Sequence, residues 1–451
     1  MPTAWPTACL QTLATPWLVA LLIGCGERSL LLDHAGVGPQ PALPAPVTTL
    51  LPTVNIAPAL GWPSGQTPRP AAATQVNAFA TGLNHPRWLH VLPGGDVLVA
   101  ETNAPPRPEA GGGIKGWVMK KVMARAGAGV PSANRITLLR DADGDGRAEV
   151  RTVFLEGLNS PFGMALVGDR FYVAHTDAVW EYAYQAGQTR IEDAGRRLTD
   201  LPAGPLNHHW TKALVASTDG TRLYATVGSN SNVAENGLAV EEGRASIWEI
   251  DRASGSKRLF ASGLRNPNGM AWVASTGALW TVVNERDELG SDLVPDYLTA
   301  VRDGGFYGWP YSWYGSHVDT RVQPPRPDLV ARAIVPDYAL SSHVAPLGLA
   351  YGSGGALIAA LAVKGTAQPA AQGMFVGLHG SWNRRPHAGY KVIFVPFVDG
   401  RPQGQPVDVL TGFLSPDGDA WGRPVGVVLD ASGALLVADD VGNAVWRVTG
   451  R

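Results

Sequence analysis

Short apolar runs come in pairs along this chain, each pair joined by a tight turn. From Gly82 the sequence GLNHPRWLHVLPGGDVLVAET gives one run, a Gly-Gly-Asp turn and a second run. GLNSPFGMALVGDRFYVAHTD from Gly157, GLRNPNGMAWVASTGALWTVVNERD from Gly263 and GRPVGVVLDASGALLVADD from Gly422 repeat the arrangement. Two more divergent copies, HHWTKALVASTDGTRLYATVG from His208 and HVAPLGLAYGSGGALIAA from His343, lie between them. Each unit opens with a turn that usually carries Pro, enters an apolar strand, turns at Gly or Asp-Gly and enters a second strand. Six units, roughly 50–80 residues apart, predict an all-β chain folded as a radial array of small sheets, a six-bladed β-propeller. Such a fold carries one equivalent position of every repeat to a central axis. Residues that break the pattern there are the first candidates for chemistry.

Composition agrees with a turn-rich β protein: 451 residues with 45% hydrophobic content, 54 Gly, 36 Pro and 15 Trp. A formal net charge of −2 without a basic run gives nucleic acid no phosphate-binding surface. The pattern changes at the N-terminus. Residues 15–24 (TPWLVALLIG) form an apolar core of signal-peptide length, and Leu22-Ile23-Gly24-Cys25 resembles a bacterial lipobox, although no Lys or Arg precedes the core. Residues 1–25 are therefore expected to be a signal peptide with lipid attachment at Cys25, placing the protein in the periplasm or anchored to the outer membrane. Membrane contact would come only through that lipid. The two cysteines, Cys9 and Cys25, both precede the repeats, so the propeller has no internal disulfide. Residues 26–74, rich in Pro, Ala and Thr, are expected to be a disordered, extended linker. The propeller domain is expected to span 75–451.

Several clusters could carry chemistry. Asn207-His208-His209-Trp210 opens the third repeat where the others have a Gly-Leu turn. Adjacent histidines point in opposite directions, so one of the two can face the axis and act as a general base near neutral pH. Arg265-Asn266 opens the fourth repeat and offers a bidentate clamp beside an amide. Asn284-Glu285-Arg286-Asp287-Glu288 closes that repeat's second strand and concentrates the oxygen ligands a hard cation wants. Asp141, Asp143 and Asp145 have the alternating spacing of a calcium loop, but the twelfth position is Thr152, so the loop is not an EF-hand; an ion there would be structural. His379 and Arg384, in the HGSWNRR insertion of the fifth repeat, Arg423 in the last and Arg87 in the first are candidate ligand-binding groups. With Arg265, such arginine-bearing turns around one axis would form an anion socket.

The motifs GLRNPNGMAW, NERDELGSDLVPDYL, GGFYGWPY and HGSWNRRPHAGYKV resemble the sorbosone dehydrogenase group of pyrroloquinoline quinone (PQQ) sugar dehydrogenases, related to the glucose and fungal pyranose enzymes. The resemblance covers roughly residues 75–451. It implies PQQ lying flat over the axis, a calcium ion against it, arginines on its carboxylates, and a His that takes the sugar hydroxyl proton while hydride moves to the quinone. Carried over residue by residue, it implies His209 as the base and Arg265, Asn266 and Arg423 as PQQ ligands. Main-chain carbonyls near Arg286 and Asp287 would hold the calcium. The glucose enzymes' axial Lys has no counterpart, and His379 or Arg384 stands in that region; Asn230 and Asn232 replace a Gln-bearing loop.

The expected function is PQQ- and calcium-dependent oxidation of a sugar or aldehyde hydrate, with electrons passed to a quinone or cytochrome. Two alternatives are a calcium-dependent lactonase-type hydrolase, which needs axial acidic ligands around a metal, and a non-catalytic propeller that only binds.

Overall fold

The computed structural model describes residues 27–32, 34–49, 53–106, 124–127, 129–361 and 371–451. The repeats become six antiparallel sheets around an axis. Blade one contains Pro86–Val91, Val97–Glu101, Arg135–Arg140 and Val150–Leu155, and blade two Met164–Val167, Arg170–Ala174, Ala178–Ala183 and Arg196–Asp200. Blade three contains Leu214–Ala216, Arg222–Val227, Ser246–Asp251 and Lys257–Ser262; blade four contains Asn266–Val273, Ala278–Asn284, Pro295–Ala300 and Tyr338–Ser342. Blade five is Pro346–Ser353, Gln372–Leu378, Lys391–Val398 and Val407–Thr411. Blade six takes Pro424–Leu429, Leu435–Asp439 and Ala444–Gly450 from the end of the chain and Thr74–Ala80 as its outer strand, so the ring closes by pairing the two ends of the propeller. In every blade the first strand of the repeat is innermost, and each innermost strand touches the next around the ring.

Each sheet is sandwiched between two neighbours, which explains why the second strands read as unbroken apolar runs: Val97–Glu101 and Leu435–Asp439 are buried along their whole length. The core is correspondingly not one ball but six apolar clusters, one in each seam between adjacent blades. A recurring Pro-x-Gly at the start of the innermost strand (Gly163, Gly269, Gly348, Gly426) has a packing cause. A Cβ on Gly269 would stand 2.6 Å from the Leu349 nitrogen of the next blade, so only glycine lets the inner strands approach this closely. Blades one to three also pack rings on one another, Trp88 on Phe162 at 4.6 Å and Phe162 on Trp210 at 5.8 Å.

The expected disorder of the Pro/Ala-rich stretch does not extend to its described residues. They are extended, as their composition suggests, but laid along blades four to six. Val37–Gly38 pairs with the outer strand of blade four and Arg69–Pro70 with that of blade five. Between them the amide of Asn55 donates to the Trp382 carbonyl and the Trp62 indole to Asp439. Main-chain donors that prolines leave unpaired in sequence find acceptors on the propeller instead. Cys25 and residues 15–24 lie outside the described residues.

Candidate functional site

The strand register gathers the candidate residues. Pro86 faces Glu101, Asn266 faces Asn284, Pro346 faces Leu378 and Pro424 faces Asp439. The opening turn of each repeat and the residue after its second strand therefore share one end of the axis, here the upper end. Those following residues are Thr102, His175, Gly228, Glu285, His379 and Asp440, a mostly polar ring.

His209 enters this ring beside Gly228. A Cβ on Gly228 would lie 2.5 Å from that of His209 and closer still to the Asn266 amide oxygen, so the glycine makes room for both. His209 Nδ1 sits 2.8 Å from the Ser229 carbonyl. A carbonyl only accepts, so Nδ1 carries the proton and Nε2 keeps its lone pair. Burial, with His208 and Arg265 adding positive charge nearby, holds the ring's pKa well below the usual histidine value. His209 is thus a neutral imidazole with a fixed tautomer, while His208 is exposed.

Arg265 is buried, and every N–H of its guanidinium meets a protein acceptor. Nε reaches the Asn232 carbonyl at 3.2 Å, Nη1 the Glu285 carbonyl at 2.5 Å, and Nη2 both Asn232 Oδ1 at 3.0 Å and Asp287 Oδ2 at 3.2 Å. Asp287 also accepts from Asn383 Nδ2 at 2.8 Å and faces His343 Nδ1 at 3.4 Å. Burial opposes its ionisation, but Arg265 and His343 outweigh that and drive its pKa far below the usual carboxylate range. His343 answers in kind. Burial disfavours its charge, yet Asp287 and the Gly290 carbonyl raise its pKa.

A second carboxylate anchors the opposite side. Asp440 Oδ2 accepts from Arg87 Nη1 at 2.5 Å and His379 Nε2 at 2.9 Å, and its carbonyl meets His85 Nδ1 at 3.1 Å. Burial works against this anion too, but His379, His85 and Arg87 together depress its pKa strongly. Arg423 spends Nη1 and Nη2 on the carbonyls of Ala126 and Ala57, both at 2.9 Å, and lies over the Tyr390 ring.

Arg384 and the anion socket depart from expectation. The Arg286 side chain is fully buried, held by Glu285, Asp319 and the carbonyls of Pro310 and Ser312, which leaves the expected main-chain role of this stretch untouched. Arg384 turns away from the axis to bind Ser341, Ser342 and Ser29, tying the N-terminal segment to the seam of blades four and five. The open anion socket is corrected as well, because Asp440 neutralises Arg87 and Asp287 neutralises Arg265.

A profile of the TrAA12-like family matches residues 124–296 and 330–451, more than half of the chain. The chain belongs to the TrAA12-like family. The resemblance drawn from the motifs is borne out at the level of the wider family, without singling out its sorbosone group. An uncharacterized protein of Borreliella burgdorferi is 24% identical over 304 residues, covering 64% of this chain and 76% of that protein. A pyrroloquinoline quinone-dependent pyranose dehydrogenase of Coprinopsis cinerea is 31% identical over 136 residues, which is 26% of this chain and only 17% of that protein's length. Among solved structures, the holo form of the pyranose dehydrogenase PQQ domain from Coprinopsis cinerea superposes with a TM-score of 0.65 at 21% identity, covering 87% of this chain and 100% of that one. The calcium structure of Trichoderma reesei family AA12 does so with a TM-score of 0.65 at 18% identity, covering 88% and 98%.

In this TrAA12-like protein the Asp141 loop joins the third and fourth strands of blade one, at the end of the axis opposite the ring. Its carboxylates, joined by Glu149, lie within 4.8 Å of one another, and among the described residues no other such cluster of three or more ligating groups exists. The sequence reading missed Asp440, His343 and Asn383. Aligning the repeats on the end of the second strand, rather than on the opening turn, exposes Asp440 as the counterpart of Glu285 and His379.

Proposed function

We propose that this TrAA12-like protein is a PQQ-dependent dehydrogenase oxidising a sugar hydroxyl or aldehyde hydrate. The observation that carries the proposal is His209, a neutral imidazole with its proton fixed on Nδ1 by Ser229 at the mouth of the axis. The surrounding residues fit a polar cofactor. Arg87 Nε, Arg423 Nε, Asn266 Oδ1, Asn383 Oδ1 and Asp440 Oδ1 are buried with no hydrogen-bond partner, a concentration that folded proteins avoid unless a ligand answers it. Arg87 and Arg423 each keep one buried donor, Nε, for an acceptor on the cofactor. Asp287, Asn266 and Asn383 supply oxygens for calcium, which Asp287 can meet as an anion at any working pH. When bound, PQQ supplies a two-electron acceptor for the hydride of a sugar C–H bond.

His209 Nε2 takes the hydroxyl proton, and Ser229 keeps the ring from turning as the charge arrives. His208, by contrast, is exposed. A hydrolase would want several acidic groups around an axial metal, whereas the described carboxylates converge only at the Asp141 loop. We further propose export with lipidation at Cys25 and electron transfer to a quinone or cytochrome.

Reconstitution tests the proposal. Full-length protein given PQQ and calcium should show a bound-cofactor absorbance and dye reduction with aldoses or sorbosone, both lost on chelation and restored by calcium. Absence of cofactor binding, or dye reduction indifferent to sugar, would overturn it. Calcium should act separately at the Asp141 loop, where binding to the folded state alone contributes about 2.7 kcal/mol at a hundredfold excess over Kd. Asp143→Ala is expected to remove the calcium-dependent rise in melting temperature and leave turnover unchanged. Loss of turnover would mean that loop is not merely structural.

A further inference from the structure

A groove of about 580 Å³ opens between blades one and two and runs along their seam from residues 157–159 and His175 toward Tyr182 and residues 190–194. Residues 153–159 form one wall and residues 190–194 the other; Trp180, half-buried, lines it. The walls are fixed to each other, since the amide of Ile191 donates to the Phe154 carbonyl at 2.9 Å and Thr152 Oγ1 to the Thr189 carbonyl at 3.0 Å. His175 also lines the groove, and it occupies blade two's place in the polar ring at the mouth. The groove therefore shares His175 with the polar ring.

Its chemistry is selective. The His175 ring stacks behind Trp180, with centroids 5.6 Å apart and planes 25° off parallel, and fixes the indole. This backing leaves His175 Nε2 buried without a partner, an expense that packing alone does not require. Burial lowers its pKa to about 4, so the ring adds no charge. Glu156, Asn159 and Asp177 line the same space, with further acids at Glu192 and Asp193. Arg190 lines it and pairs with Glu156 at 3.1 Å, Arg197 reaches Asp177 at 3.4 Å, and Asn159 Nδ2 donates to the other Asp177 oxygen at 3.0 Å, which leaves Glu192 and Asp193 to keep the lining acidic. An acidic lining repels anions, while carboxylates and an amide beside a fixed indole suit a ligand with an apolar ring face and a rim of hydroxyls. The volume is that of a drug-sized molecule, more than one sugar ring fills.

We propose that this groove is a saccharide subsite that holds the further units of a neutral oligosaccharide, one ring on Trp180 and its hydroxyls on Glu156, Asn159 and Asp177. The choice of occupant rests on the sugar reading of the axial site. Calorimetry of the full chain without cofactor, against cellotetraose, xylotetraose and mannotetraose, tests it. At least one tetraose should bind. Trp180→Ala should weaken that binding about tenfold, the upper range of an aromatic contact, and Trp180→Phe should recover most of it. Should Trp180→Ala not fold, the double variant Glu156→Ala/Asn159→Ala, at two exposed positions, must weaken binding instead. No tetraose binding, or binding indifferent to these changes, overturns the subsite. Dye reduction with monosaccharides is the separate control: its failure with tetraose binding intact condemns the axial reading alone.

Discussion

Replacing His209 with glutamine is expected to lower sugar turnover by about 10²–10⁴-fold, the usual contribution of a positioned base, with PQQ absorbance unchanged. Glutamine keeps the volume beside Gly228 and can still donate to Ser229, but it has no lone pair basic enough to take a hydroxyl proton. His208→Gln should do far less, because that side chain is exposed. The pH dependence is the sharper measurement. Burial and the neighbouring cations hold the His209 pKa well below its ordinary value, so the ring stays unprotonated as pH falls through about 6.5, where a free histidine would half-titrate. kcat/KM should therefore keep its plateau through that region and fall only in more acidic solution. An acid limb near 6.5 that survives His208→Gln would sink the assignment.

Asp440→Asn is expected to destabilise the protein by about 3–5 kcal/mol, the range for breaking a buried charge pair from one side. The carboxylate is almost wholly buried, and Arg87 beside it is nearly so, so solvent screens the pair little. Neutralising Asp440 leaves Arg87 without its counter-charge and weakens the hold on His379, while His85 keeps its bond to the main-chain carbonyl. The pH profile follows from the depressed pKa. As pH falls, the unfolded chain takes up this proton first, at about 3.9. The carboxylate's contribution is complete above that value and is lost as pH drops from there toward the lower folded pKa. Denaturant unfolding at neutral pH and below pH 4 should show a large gap between wild type and variant in the first case and a smaller one in the second. Arg87→Met in the Asp440→Asn background should restore part of the loss; equal stability of Asp440→Asn and wild type would show that the pair contributes nothing.

The blades were legible because a sheet buried on both faces must repeat its paired apolar runs, and His209 because it interrupts that repetition. What answers each arginine was not legible. Arg87 meets Asp440 across 353 positions and Arg423 meets Ala57 across 366, and no local spacing encodes such partners. The chain shows a cation's position in a turn but not whether a carboxylate elsewhere will neutralise it, which is why four arginines looked like a socket. Similarly, Pro and Ala in residues 26–74 dictate an extended backbone, while only the surface beneath decides whether that backbone is held. Arg384 illustrates both limits: its motif pointed to the axis, and its donors went to Ser29.

The clasp in blade six sets an order of events during synthesis. Thr74–Ala80 leaves the ribosome before any blade exists, yet its partner strand, Ala444–Gly450, is made after every other strand. Until then the early strand waits with an open edge, and the seams flanking blade six stay exposed to chaperones and to other nascent chains. Asp440 and Arg423 belong to this late segment. The upper end of the axis is thus completed only when translation of the ring is finished, so a stalled or truncated polypeptide, however many blades it has stacked, lacks Asp440 and Arg423 at its mouth.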